Sequence, residues 1–144
     1  STPIKINANG STFLQAGIPD STMTQLEYEN GVKGHIFVSW LHPFKEHRFV
    51  IIGSKGMITF EDSKEDKPLL FYNKTIEWEN GIPSPNDKGV TKIFYKNEMS
   101  LDNEMKYFIE HLDDNHIEIS NGYSGIEVIN ILTIATNFLK KEIK

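Results

Sequence analysis

The segment Trp40-Leu41-His42-Pro43-Phe44-Lys45-Glu46-His47-Arg48 gathers an indole, two imidazoles and two permanent cations around one turn. Such a set suits the grip of an anionic, hydroxylated ligand, because cations pair with phosphate or carboxylate and aromatic faces lie against sugar rings. The plain alternative is a hairpin whose Trp40 is core and whose charges are solvated. Both readings stay open on these residues alone.

Other constellations carry less. His35 and His42 have opposite strand parity and no HExxH spacing occurs, so no metal ligation is expected. His111 and His116 are expected at an exposed helix end. Glu77 and Glu79 share one side of a strand, as a glycosidase dyad would, but a solvated edge strand explains them as well. Gly31-Val32-Lys33-Gly34 and Gly53-Ser54-Lys55-Gly56 read as hairpin turns, since neither has the spacing of a dinucleotide fingerprint or a P-loop. Gly122-Tyr123-Ser124-Gly125-Ile126 lacks the final Gly of a nucleophile elbow and reads as a helix entry. Asn9-Gly10-Ser11 and Asn73-Lys74-Thr75 match a glycosylation triplet by coincidence of composition. No catalytic, cofactor-binding or metal residue is assigned.

The chain bounds these chemistries from outside. It has 144 residues and a net charge of −5, with 38% hydrophobic and 24% charged residues, the balance of one globular domain spanning residues 1–144. Its negative field disfavours nucleic acid and anionic membrane surfaces, which need a basic face. With Cys absent there is no disulfide and no thiolate, which fits a reducing, cytoplasmic setting. No apolar run reaches membrane-spanning length and no secretory leader pattern is present. The chain opens Ser1-Thr2-Pro3-Ile4 without an initiator Met, which predicts a domain cut from a longer protein or a processed precursor.

The elements that must position the cluster fall into two regimes, divided near Ser100. Before it come strands: Ile4 to Ala8, Thr22 to Glu29, His35 to Leu41, Arg48 to Ile52, Met57 to Glu61, Leu69 to Tyr72, Thr75 to Glu79 and Val90 to Tyr95. Asn30-Gly31 predicts a type I′ turn. The apolar run Arg48 to Ile52 predicts a central strand covered on both faces. Gly81 to Gly89 reads as turn throughout, because of Pro83 and Pro85. After Ser100, an N-cap, Leu101, Met105, Phe108 and Leu112 form a helical stripe ending near Asp113-Asp114-Asn115. A second helix starts around Ser120 to Tyr123, with Val128, Leu132, Ala135 and Leu139 on one stripe joined by Ile131 and Phe138, and with Lys140, Lys141 and Lys144 at its negative end. The expected class is α+β, a mostly antiparallel open sheet with two C-terminal helices packed on one face.

Two stretches carry a resemblance. Val38 to Ile58, running Val-Ser-Trp-Leu-His-Pro-Phe-Lys-Glu-His-Arg-Phe-Val-Ile-Ile-Gly-Ser-Lys-Gly-Met-Ile, resembles the C-terminal domain of the glucose-fructose oxidoreductase/inositol dehydrogenase (Gfo/Idh/MocA) family, and within it the nucleotide-sugar 3-dehydrogenase branch. Asn121-Gly122-Tyr123-Ser124-Gly125-Ile126-Glu127-Val128-Ile129 is similar to the opening of that family's last helix. The resemblance implies a two-domain parent using NAD or NADP on a sugar or nucleotide sugar, with its Rossmann domain, catalytic Lys and Asp-x-x-x-His-like motif outside this sequence. It implies no cofactor site here and no turnover by this chain alone. Trp40, His42, Lys45 and Arg48 are the implied substrate contacts. Lys45 and Arg48 would meet a uronate or phosphate, while Trp40 stacks on the sugar or fills the core. Homo-oligomerisation through the open sheet face is implied as well, since a sheet covered on one side leaves an apolar face in need of a partner.

Overall fold

A computed structural model describes residues 2–96, 98–114 and 117–142. Asn115, His116 and Lys144, named above, lie outside the described residues. The chain divides into two compact units, residues 1–43 with 111–144, and residues 44–110.

The first unit holds β1 (Lys5–Ser11), β2 (Ser21–Glu27) and β3 (Lys33–Ser39), paired antiparallel in that order. In register, the rows alternate. Ile6, Leu26 and Gly34 form one row, and Ala8, Thr24 and Ile36 another on the same face; Lys5, Glu27 and Lys33, and Asn7, Gln25 and His35, lie on the opposite face. The C-terminal helix, residues Gly122–Glu142, packs along β1 on the apolar face. Gly10 permits the approach, since a Cβ there would stand 2.8 Å from the Ser21 carbonyl oxygen and 3.0 Å from Leu139 Cδ2. In this unit Ala8, Leu26 and Ala135 are buried, Ala8 at 1% exposure. The helix turns Ile131, Ala135 and Leu139 inward and leaves Val128 and Leu132 exposed, a stripe rotated from the one expected.

Asn121 caps this helix. Its Oδ1 accepts the Ser124 amide at 2.9 Å, and its Nδ2 donates to the Ile117 carbonyl at 2.8 Å. The β2–β3 connection departs from the expected type I′ turn. Gly31 alone has positive φ, 83°, with its amide donating to the Tyr28 carbonyl and the Tyr28 amide to the Val32 carbonyl. That is a type I turn followed by a left-handed glycine, the usual three-residue-loop solution.

The second unit holds β4 (Arg48–Gly53), β5 (Gly56–Glu61), β6 (Leu69–Glu79) and β7 (Ile82–Ile93), antiparallel in chain order, followed by α1 (Ser100–Glu110); the C-terminal helix is therefore α2. Three expectations are corrected here. β4 is an edge strand, not a central one, and Val50, Ile51 and Ile52 are all exposed, because the chain starts a new sheet at Arg48. Leu69 to Tyr72 and Thr75 to Glu79 form one strand, its register shifted between Tyr72 and Lys74. Of Gly81 to Gly89, Ile82 to Gly89 is strand rather than turn. Asn80 and Gly81, at φ 53° and 77°, make the type I′ turn, and the edge strand β7 tolerates Pro83 and Pro85 because its outer side has no ladder to donate to.

The open apolar face expected from the sequence belongs to this second sheet. On one face of β4, Phe49 is 63% and Ile51 49% exposed, whereas the open face of the first sheet is polar near Lys5 and His35. α1 has Asp102 in its first turn and no buried side chain. The α+β class and antiparallel pairing hold, with the strands shared between two sheets.

Candidate functional site

The segment from Trp40 to Arg48 spans the border between the units: Trp40 and His42 close the first, Lys45 and Arg48 open the second.

In the first unit, Trp40 is placed by Asp20, a residue the sequence reading did not single out. Asp20 is 6% exposed, and its carboxylate accepts the amides of Phe13 and Leu14, the latter at 2.8 Å. Its own amide donates to the Ser11 carbonyl at 2.9 Å, and its carbonyl accepts the Trp40 amide at 2.8 Å. One buried carboxylate thus fixes the β1–β2 loop and, through its backbone, the end of β3. The available signal was its place after Gly17-Ile18-Pro19, where Asp commonly bonds neighbouring backbone. Trp40 itself is 86% exposed, so its indole does not fill a core. His42 is half-buried.

In the second unit Arg48 is already engaged. Arg48 stands across the ladder from Glu61, with its guanidinium 2.8 Å from Glu46 and 3.9 Å from Glu61. Asp62 receives Lys67 at 2.8 Å and faces His47 at 3.8 Å. The Lys67 hydrogen bond and charge hold the Asp62 carboxyl below its ordinary value, with smaller contributions from His47 and Lys45, and Asp62 in turn raises Lys67. Three carboxylates therefore lie among Lys45, Arg48 and Lys67. An incoming phosphate or carboxylate must compete with Glu46 and Glu61 for Arg48.

Glu77, considered for a dyad, accepts a hydrogen bond from Asn86 Nδ2 on the β6–β7 hairpin. Among the described residues no group of three His, Asp or Glu is placed to hold a metal ion, and no helix is long and apolar enough to cross a membrane. A nicotinamide dinucleotide does not fit these elements. It needs a glycine-rich turn from a parallel strand into a helix, and every strand pair here is antiparallel.

Residues 1–59 match the family described as GFO/IDH/MocA C-terminal domain. That match contains the Val38 to Ile58 stretch and stops short of Asn121 to Ile129. No curated protein matches the chain. Among solved structures, UDP-N-acetylglucosamine 3-dehydrogenase GnnA from Acidithiobacillus ferrooxidans is similar in two crystal forms, with TM-scores of 0.79 and 0.80 at 12% and 13% identity. The likeness covers 99% of this chain and 42% of that one, so this chain spans less than half the length of that enzyme. Residues 1–59 thus match the GFO/IDH/MocA C-terminal domain by sequence, and nearly the whole chain shares its fold with part of the GnnA structure.

Proposed function

We propose that residues 1–144 act as one substrate-binding and oligomerisation domain of a cytoplasmic, NAD(P)-dependent oxidoreductase that takes a hydride from a sugar or nucleotide-sugar hydroxyl. The observation that carries this reading is the fold likeness to GnnA over 99% of the chain, joined to the family match at its start. Hydride transfer needs cofactor and substrate in contact, and these elements offer no dinucleotide cradle, so the chain by itself binds and assembles but does not turn over. Trp40 offers a sugar a stacking surface, and His42 a hydrogen bond. Lys45 and Arg48 offer an anionic group charge-assisted hydrogen bonds once Glu46 and Glu61 yield.

The test is a titration of the complete gene product with UDP-N-acetylglucosamine and with a nucleotide-sugar acid, each with NAD or NADP, following absorbance of the reduced nicotinamide. Arg48→Ala or Lys45→Ala is expected to raise KM about tenfold, the loss of one charge-assisted contact. Unchanged KM in both variants removes the cluster from the substrate site, and absence of turnover with any sugar removes the dehydrogenase reading. The exposed apolar sheet around Phe49 and Ile52 favours a second reading, a stand-alone assembly module. A gene product without a nicotinamide-binding segment decides for that module.

A further inference from the structure

The face of the first sheet turned away from α2 holds a cavity of about 260 Å³ lined by Leu26 and by the polar residues Lys5, Asn7, Gln25, Glu27, Lys33 and His35. The ladder sets them in two adjacent rows, Lys5, Glu27 and Lys33 beside Asn7, Gln25 and His35. Cross-strand neighbours in such rows are close enough to interact. Yet among the described residues none of these six side chains takes a hydrogen bond or ion pair within the chain. On the second sheet the habit is the reverse. Lys67 is held by Asp62 at 2.8 Å, Lys74 by Asp87 at 2.7 Å and Lys92 by Asp66 at 3.0 Å.

A concavity whose donors and acceptors are all uncommitted is set to receive them from outside. Two ammonium groups flank one carboxylate, a net positive wall in a chain of net charge −5. Two primary amides, which both donate and accept, match hydroxyl groups, which do the same. The volume falls below the roughly 300–1,000 Å³ of drug-sized ligand pockets, and suits one ring rather than a nucleotide. We propose that this cavity binds a monosaccharide-sized ligand carrying one anionic group on a polyhydroxylated ring. Lys5 and Lys33 take the anion, while Asn7, Gln25 and Glu27 take hydroxyls. The site uses none of the residues Trp40 to Arg48 and requires no nicotinamide, so it stands or falls independently of the dehydrogenase reading.

Isothermal titration of the intact protein, without nicotinamide, tests it with glucose 6-phosphate and glucuronate, against glucose and inorganic phosphate. Binding of either sugar anion, at least tenfold tighter than glucose or phosphate, is expected. Glucose 6-phosphate alone would identify the group as a phosphate, and glucuronate alone as a carboxylate. Lys5→Gln and Lys33→Gln should each weaken binding about tenfold, and Lys55→Gln in the β4–β5 turn should not, with circular dichroism showing all three folded. Because Lys5 and Lys33 lie on different strands, loss of fold in one variant leaves the other to decide. No heat with either anion, equal binding of glucose or inorganic phosphate, or affinity unchanged in both lysine variants overturns the proposal.

Discussion

The two sheets answer the same alternating pattern in different ways. On the first, an apolar face meets α2, a Cβ at Gly10 would crowd both the Ser21 carbonyl and Leu139, and Ala8, Leu26 and Ala135 are buried. On the second, Phe49, Val50, Ile51 and Ile52 stay exposed, and order comes from ladder hydrogen bonds, tight turns and surface ion pairs. Burial supplies the largest favourable term in folding, whereas exposed ion pairs contribute little. The first sheet therefore carries its own cover, whereas the apolar side chains of β4 on the second lie in water.

The largest expected break in that comparison is on the packed side. Gly10→Val drives a branched side chain against the Ser21 carbonyl and Leu139, and should cost about 2–3 kcal/mol in urea denaturation. In dilute solution Phe49→Ala, on the open sheet, should cost about 1 kcal/mol or less, because most of that ring is already in water. Equal costs would erase the distinction. Next comes Asp20→Ala, which strands the amides of Phe13 and Leu14 and should cost about 2 kcal/mol. Faster hydrogen exchange at those two amides and at Trp40 would confirm that one carboxylate holds both the loop and the end of β3. Smaller again, Asn121→Ala removes the cap of α2 and should cost about 1 kcal/mol, read as reduced helicity and a lower urea midpoint.

The smallest effect belongs to the second unit. The folded-state pKa of Asp62 is depressed, so its pairing with Lys67 contributes above the ordinary value of 3.8 and is lost as pH falls through the lower folded value. Asp62→Asn should therefore narrow its small gap to wild type only in that acid window, and a gap that widens as pH falls would contradict the pairing.

Much of the fold was legible because strand period and helix period are local properties. Lys5 to Ala8, Met57 to Glu61 and the two C-terminal helices needed only alternation, turn residues and an N-cap. What failed were questions of partnership. The run Arg48 to Ile52 has the composition of a buried strand, but composition does not say whether a neighbour lies on each side. Pro83 and Pro85 signalled a turn, since the sequence does not reveal that β7 is an edge where missing donors cost nothing. The Asn30-Gly31 and Asn80-Gly81 pairs look alike, and the three-residue loop ending at Gly31 against the two-residue one at Asn80 decided which became type I′. For the candidate site, the cations Lys45 and Arg48 were legible, but not that Glu46 and Glu61 engage Arg48, because Glu61 reaches it only across the ladder. The polar cavity at Lys5 and His35 went unseen for the same reason. Its six polar residues come from three strands and become neighbours only in register.

The proposed assembly through the second sheet is tested most directly by light scattering coupled to size exclusion, on the wild-type chain and on Phe49→Glu. The expected result is a wild-type mass of at least twice 16.5 kDa that falls to the monomer in the variant with circular dichroism unchanged. A wild-type monomer at high protein concentration, or an assembly that Phe49→Glu leaves intact, would contradict it.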